Sequence, residues 1–439
     1  MSYHAVSAVA DAILYEGYLL YPYRKSAGKN QLRWQFGVLA PRSWAQRNLP
    51  PDQGVAGSAE SWFQQTECLI EPRGSRATVS LRLRFLHAQK RTVEERGQDG
   101  GFLPVPGLEV GGRLLLSFDE AVPLERDFTC RLDALAEAPA EFTVEVPGWQ
   151  GTEELGDADG RLRGWVVRHR SPVTVAVRVS AARVEAPFPL TRIQVRTENV
   201  SAGLPVDASR EQALTRALLA AHTLIASDGG RFVSLLDPPH WAKAAARGCV
   251  NVHTMPVLAG QAGHSDLMLS SPIILYDYPR VAPESPGDLF DAGEIDEILS
   301  LRALTLTDEE KREARATDPR AAEILDRVED SPPDVLARLH GTIRSQAGSR
   351  PSGSGQVIVA GIAIGKGSRV RLQPRERGAD AHDMFLAGRY AVVEDVLTDV
   401  DGSRFLAVSV EDDPAADLQR MLGRFFHFSP EEIQPAGPS

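Results

Sequence analysis

The sequence predicts a mainly β protein with α segments: an N-terminal antiparallel β-sandwich-like domain, a central irregular and helical region, and a C-terminal SH3-like small β-barrel. Three observations support this fold class. A hydrophobic period of two dominates residues 76–200, helical and irregular patterns alternate after residue 206, and a Gly/Ser/Pro-rich run precedes a short module of alternating strands. The predicted domains are residues 1–205, residues 206–344, a linker at 345–356, and residues 357–439.

The first element is the stretch ILYEGYLLYPYRKSAGKNQLRWQFGVLAP, residues 13–41. We interpret its flanks, Ile13–Leu20 and Leu32–Pro41, as sandwich strands whose aromatic side chains lie mainly in the core. The segment between them combines tyrosine with cations, a composition typical of recognition surfaces, although a plain hairpin remains the alternative. The candidate partner-binding residues are Tyr21, Tyr23, Arg24, Lys25 and Lys29.

The strands of the sandwich are predicted from alternating apolar residues. The run RATVSLRLRFLHAQ places one set of side chains on a single face, namely Val79, Leu81, Leu83 and Phe85. The valines between residues 173 and 179 repeat the pattern, which is typical of strands with one buried face. Asp-Gly in DADGRL, residues 157–162, predicts a hairpin turn of type I′.

A helix is predicted from the run DASREQALTRALLAAHTLIASDGG. Ser209 and Gln212 fit a capping box, and Gly229–Gly230 marks an end. A set of apolar side chains shares one helical face, comprising Leu214, Leu218, Ala221, His222 and Ile225. For His222 a buried hydrogen bond is favoured over a role as a metal ligand.

Residues 231–290 are irregular and proline-rich but contain apolar and aromatic residues that favour burial. The candidate metal ligands of the chain are concentrated here and comprise Cys249, His253, His264 and Asp266, which could hold nickel, iron or zinc. No standard zinc signature has this spacing. Hydrogen-bonded core residues and a Cys–His nucleophilic pair oriented by Asp266 or Asp277 are the two alternatives.

Three short helices are predicted next. AGEIDEILSLRAL has Asp291 as a candidate N-cap, Thr307 and Glu310 form a capping box, and Ser331 before Pro332 starts the third helix. Beyond the linker, short strands and a second Asp-Gly hairpin at 401–402 predict the SH3-like barrel.

Composition excludes several classes of function. The formal net charge is -11, and residues 281–340 carry most of the acidic excess, which argues against a general nucleic-acid-binding protein. Three dispersed cysteines predict free thiols rather than a disulfide framework or an iron–sulfur site. Nucleotide and dinucleotide fingerprints are absent from the sequence, and no export signal or apolar span is recognisable, so we expect a cytoplasmic protein.

Three long runs carry a family resemblance: residues 13–41, the run LSSPIILYDYPRVAPESPGDLFDAGEIDEILSLRALTLTDEEK, and the terminal KGSRVRLQPRERGADAHDMFLAGRYAVVEDVLTDVDG. Together they resemble a family of accessory proteins encoded among nickel–iron hydrogenase structural and maturation genes. The resemblance implies a non-catalytic role in hydrogenase maturation, assembly or scaffolding, with hydrogenase subunits or other maturation proteins as partners. It carries over no catalytic residues. The alternative is a metal-binding factor or metal-dependent enzyme that uses the Cys249 group.

Charge reversal tests the sequence-based interpretation of the cationic segment. If Arg24, Lys25 and Lys29 form a contact surface, their reversal should weaken partner binding without unfolding the domain. A loss of thermal stability would instead indicate a structural role.

Overall fold

The computed structural model describes residues 3–27, 30, 33–34, 36–51, 54, 60–74, 76–281, 296–330, 357–359, 361–373, 388–398, 404–411 and 426–436. The chain divides into two compact units, Met1–Thr342 and Ile343–Ser439. Both units are mainly β, with several antiparallel sheets among the described residues. None of the helices in the described ranges has the length and apolar character that a membrane crossing requires.

The first unit contains fifteen strands among its described residues. They are β1 (Phe63–Pro72), β2 (Thr78–Arg96), β3 (Phe102–Val105), β4 (Gly107–Val110), β5 (Arg113–Leu116), β6 (Phe118–Arg131), β7 (Ala140–Val146), β8 (Trp149–Gly156), β9 (Leu162–Arg170), β10 (Val173–Val184), β11 (Leu190–Asn199), β12 (Leu219–Asp228), β13 (Gly230–Val233), β14 (Met255–Leu258) and β15 (Leu267–Ser271).

The helices of the same unit, again within the described residues, are α1 (Ser7–Tyr15), α2 (Arg42–Asn48), α3 (Leu132–Glu137), α4 (Arg210–Leu214), α5 (Lys243–Arg247), α6 (Asp296–Leu304), α7 (Asp308–Thr317) and α8 (Pro319–Glu329). Short 3₁₀ segments at Tyr3–Val6 and His240–Ala242 precede α1 and α5.

Two large sheets share one hydrophobic core. The first has the order β13-β1-β11-β10-β7, and the second has the order β14-β15-β12-β2-β9-β8, with β3 and β6 also paired to β2. The predicted alternation is confirmed, because Val79, Leu81 and Phe85 of β2 lie in this core together with Val175 and Val179 of β10.

The central strand β2 is 19 residues long. β6 pairs with β2 from Thr78 to Arg91, β12 pairs with its first half, and β9 and β3 pair with its second half, all antiparallel. The backbone of β2 is therefore hydrogen-bonded on both sides along most of its length, and β2 organises the whole sheet.

The predicted helix from Ser209 to Gly230 is wrong beyond its first turn. The capping box of Ser209 and Gln212 is present, but α4 ends at Leu214, and the rest is the strand β12. Nine of the ten residues of β12 are buried, because the strand has protein on both faces. A strand of this kind has a continuous apolar sequence that also fits a helical face. Because β12 pairs with β2, residues on both sides of position 205 belong to the same sheet.

The interpretation of Ile13–Leu20 as a strand is also wrong, because α1 continues to Tyr15 and turns follow it. The described part of Leu32–Pro41 forms no strand and joins the sheet through bridges from Leu39 to Leu218 and Ser61. The carbonyl oxygens of Phe36 and Gly37 also accept hydrogen bonds from Ala220 N and Ala221 N of β12. Gly37 allows this approach: its φ is +55°, and a Cβ there would lie 2.7 Å from the side chain of Pro272.

The hairpin at DADGRL is confirmed between β8 and β9, but the turn is not type I′. Only Gly160 has a positive φ, and Gly160 N donates to Asp157 O at 3.0 Å. The Asp157 carboxylate accepts hydrogen bonds from the backbone N–H groups of Asp159 and Arg161 and thereby stabilises the turn.

The capping box of Thr307 and Glu310 begins α7, as predicted. The predicted N-cap Asp291, the helix predicted after Ser331, and the linker 345–356 lie outside the described residues.

The second unit contains β16 (Val357–Val359), β17 (Ile362–Ile364), β18 (Arg369–Leu372), β19 (Tyr390–Thr398), β20 (Arg404–Val410), β21 (Phe426–Phe428) and β22 (Ile433–Pro435). Within its described residues, an open antiparallel sheet runs in the order β21-β20-β19-β18-β22, beside the hairpin β16–β17. The second Asp-Gly turn lies outside the described residues.

Two buried histidines affect the pH dependence of stability. His222 is fully buried, and its Nδ1 lies 2.8 Å from the carbonyl oxygen of Ala220, as expected for a hydrogen-bonded core histidine. Burial lowers the pKa of His222, and likewise that of His87, from 6.5 to about 4.

We predict acid destabilisation of the first unit between about pH 6.5 and 4. In this range the unfolded chain binds protons that the folded chain does not, so stability is full above pH 6.5 and falls as the pH is lowered, by up to about 1.4 kcal/mol per pH unit for each histidine. All six tryptophans lie in the first unit, so denaturant unfolding followed by tryptophan fluorescence reports on it alone. The variant His222→Asn should flatten the pH dependence, whereas the exposed His169→Asn should not.

Candidate functional site: an anchored apolar ridge

The cationic segment predicted as a contact surface contacts the acidic helix α7 of the same chain. The guanidinium of Arg24 lies 3.1 Å from the carboxylate of Glu310 and 3.7 Å from that of Glu313. Ser26 donates two hydrogen bonds to the Glu313 carboxylate, from its backbone N at 2.9 Å and its Oγ at 3.0 Å. The side chain of Arg24 is 25 % exposed, so these contacts are partly shielded from solvent.

The other predicted contact residues also have partners within the chain. The backbone N of Lys25 donates to Thr317 Oγ1 at 3.0 Å, and its Nζ donates to Pro106 O at 3.2 Å. The Tyr21 hydroxyl lies 3.5 Å from the carbonyl oxygen of Arg302. Tyr23 is fully buried, and Lys29 lies outside the described residues.

A buried polar network lies beneath these contacts. The Tyr18 hydroxyl donates to the carboxylate of Asp318 at 2.6 Å, which joins the N-terminal segment to the start of α8. Arg91 of β2 donates to the carbonyl oxygens of Ala316 and Thr317 at 3.1 and 2.8 Å, where a cation is favoured by the helix dipole. The N-terminal segment and the helices α7 and α8 therefore form one packed structure.

The candidate metal ligands do not converge. No three His, Cys, Asp or Glu side chains within the described residues are close enough to hold a metal ion. His253 is buried against the ring of Phe63, with a centroid separation of 5.7 Å, whereas His264 and Asp266 are exposed. The Cys249 thiol lies 3.6 Å from the carbonyl oxygen of Ala245.

The environment of Cys249 also disfavours a nucleophilic thiolate. Burial raises the pKa of the Cys249 thiol from 9 to about 11, despite the opposing charge of Arg192. Nucleophilic cysteines require a lowered pKa, so at neutral pH this thiol is protonated and unreactive.

A cleft of about 520 Å³ lies between α1, α8 and the sheet. Its ionisable lining residues are Asp11, Arg84, Glu125, Arg320, Glu323 and Arg327. The guanidinium of Arg84, which is almost buried, lies 2.5 Å from the Asp11 carboxylate and 2.6 Å from that of Glu125. Three formal positive charges face three negative ones, and Arg84 serves to hold α1 against the sheet.

Two large apolar side chains project from the segment after β15. Ile274 is 70 % exposed and Tyr276 is 88 % exposed. The intervening residues Ile273 and Leu275 pack against a hydrophobic cluster, and Tyr278 packs against the main core. Alternate side chains are thus anchored inward, and Ile274 and Tyr276 form an exposed apolar ridge.

The ridge is fixed by Asp277. Its carboxylate accepts a hydrogen bond from the backbone N of Leu258 at 2.8 Å and another from Ser234 Oγ at 2.5 Å. Tyr278 N adds a hydrogen bond to Leu258 O at 2.6 Å. Because Ser234 Oγ also accepts from Leu236 N, the ridge is tied to a second segment whose Leu236 side chain is 42 % exposed.

Sequence reasoning included this segment in the irregular region but did not select the ridge. The signal was present in the run PIILYDYP, whose apolar residues continue past the end of β15. Which of them face outward depends on the hydrogen bonds of Asp277 to distant residues, and sequence spacing does not specify such partners.

No protein-family model matches the chain, and no curated protein matches it at a significant level of similarity.

We predict that Arg24→Glu lowers the free energy of unfolding of the first unit, because it places a third carboxylate beside Glu310 and Glu313. Denaturant unfolding followed by tryptophan fluorescence measures the change. The double variant Arg24→Glu/Glu310→Arg should recover part of the loss, and the exposed Arg183→Glu should change stability by much less. If Arg24→Glu leaves the stability unchanged, the structural role of Arg24 is contradicted and the segment is again a candidate contact surface.

Proposed function

We propose that this protein is a non-catalytic accessory protein for a nickel–iron hydrogenase, which acts in the cytoplasm through contacts with hydrogenase subunits or other maturation proteins. The resemblance of the three long sequence runs supports the choice of partner. The second of these runs contains the ridge residues Ile274 and Tyr276.

The observation that carries a binding function is the anchored exposure of the ridge. Exposed tyrosine and isoleucine side chains lose apolar contact with water when a partner covers them, and tyrosine is enriched among the residues that dominate binding energy. The backbone under the ridge is fixed by Asp277 and Tyr278, so binding costs little conformational entropy. A pre-organised apolar ridge is well suited to a protein partner.

We propose further that the first unit is a β-sandwich-like platform and the second an SH3-like module. The core shared by the two large sheets supports the first assignment. The short antiparallel strands and the common core of β16 to β22 support the second. Each would present loops and strand edges to partners while its core stays closed.

Co-purification tests the proposal. We expect the tagged full-length protein, isolated from its own host, to retain hydrogenase subunits. The double variant Ile274→Ala/Tyr276→Ala should reduce the amount of retained subunits at least about tenfold, since each hot-spot side chain contributes about 1–2 kcal/mol or more. Both side chains are exposed, so its thermal unfolding should match that of the wild type.

Leu103→Ala is the matched control, because Leu103 is 66 % exposed on β3, away from the ridge in sequence. It should leave co-purification unchanged. Absence of hydrogenase subunits from the wild-type preparation would overturn the proposed function. Equal retention by the wild type and the ridge variant would overturn the assignment of the ridge.

A further inference from the structure

Two proline-flanked loops bring a pair of aromatic rings together on the outer side of the five-stranded sheet. Phe188 lies between Pro187 and Pro189 in the β10–β11 connection, and Trp241 follows Pro238–Pro239. Their ring centroids are 5.2 Å apart at an interplanar angle of 77°, and Phe188 is 56 % exposed. Proline restricts the backbone of both loops, so the rings are held in place before any partner arrives.

The helical stretch that carries Trp241 is firmly packed against the sheet. The helical stretch from His240 to Arg247 buries Ala242 and Ala245 against Leu69 and Val233 of the sheet. These residues lie on the face opposite the main core, because the neighbouring Cys68 and Ile70 of β1 belong to that core. The sheet therefore supports the outward-facing residues of this stretch rigidly.

The outward side of the stretch is cationic. Lys243 and Arg247 are exposed and four residues apart, which places them on one face of α5. Within the part of the chain that the structure describes, neither side chain forms an ion pair. Asp237 is the nearest acidic residue in sequence. Glu185 is the acidic residue nearest to Phe188 in sequence. Lys243 and Arg247 follow Trp241 by two and six residues in sequence, and we call the set of Phe188, Trp241, Lys243 and Arg247 the aromatic–cationic patch.

We infer that the aromatic–cationic patch binds an extended acidic and apolar peptide segment of a partner protein. Carboxylates of the segment would pair with Lys243 and Arg247, while its apolar or prolyl side chains pack on Phe188 and Trp241. Surfaces lined by aromatic rings bind proline-containing extended peptides, here the exposed Phe188 and the half-buried Trp241, and the two cations supply charge complementarity.

A peptide is favoured over a nucleic acid on two grounds. The rings meet edge to face, and this arrangement does not provide the parallel faces on which successive bases stack. The strongly negative net charge would also repel a polyanion, whereas a short acidic segment contacts only the local cations. The inference is independent of the ridge and does not require that the partner be a hydrogenase subunit.

Fluorescence anisotropy with a labelled synthetic peptide tests the inference on the full-length protein. The probe alternates Asp and Glu with Leu, Phe and Pro, and a second probe replaces each acidic residue with Lys. We expect saturable binding of the acidic probe that weakens with added salt, and no binding of the basic probe. An equally long single-stranded oligonucleotide should not bind.

Variants locate the site. Lys243→Glu/Arg247→Glu should weaken binding of the acidic probe about tenfold or more and allow the basic probe to bind. Phe188→Ala should weaken the acidic probe severalfold without changing its salt dependence. Arg161→Glu/Arg163→Glu makes the same change in net charge at exposed positions around the β8–β9 turn and should leave binding unchanged, as should Tyr276→Ala on the ridge.

Three results would overturn the inference: no saturable binding of the acidic probe by the wild type, equal weakening by the Arg161/Arg163 control, or preferential binding of the oligonucleotide. The Tyr276→Ala variant retains the patch. A ridge variant that does not change co-purification and a wild type that does not bind the acidic probe are therefore separate outcomes.

Discussion

The long strand β2 is the constraint on which the first unit depends. Four other strands pair with it along its length and take their register from it. Its side chains also position the helices: Arg84 binds Asp11 of α1, and Arg91 binds the carbonyl end of α7. Both arginines emerge from a strand whose backbone is hydrogen-bonded on both sides, so the helices rest on a rigid base. The ridge and the aromatic–cationic patch then lie on loops supported by the same sheets.

Local sequence patterns predicted the half-buried strands and the helix starts but not the strand with two buried faces. Val79 and Val175 alternate with polar residues, and Thr307 carries its capping partner three residues away, so the information is local. In β12 the sequence information is not local. Leu224 and Ile225 are both buried, and an apolar run of that length fits either a helix or a strand. The pairing of β12 with β2 determines that this run forms a strand, and that pairing involves residues more than a hundred positions away.

The candidate sites were predictable to a different extent. The tyrosines and cations near Arg24 do make directed contacts, as their composition indicated, but the acidic partner is α7 of the same chain. Composition does not distinguish a contact within a chain from one between chains. Cys249 and His253 were grouped by spacing alone, yet the backbone directs one thiol toward Ala245 and one imidazole toward Phe63. Exposure of the ridge depends on Asp277, whose partners come from two other segments.

The contact between Tyr18 and Asp318 spans 300 residues of sequence, and this separation has a consequence for biosynthesis. During translation the N-terminal segment is synthesised long before α7 and α8, so Leu14, Leu19 and Tyr23 lack the packing partners that these helices supply until about 300 further residues have been added. The nascent chain therefore exposes this aromatic and cationic segment until the acidic helices have been synthesised.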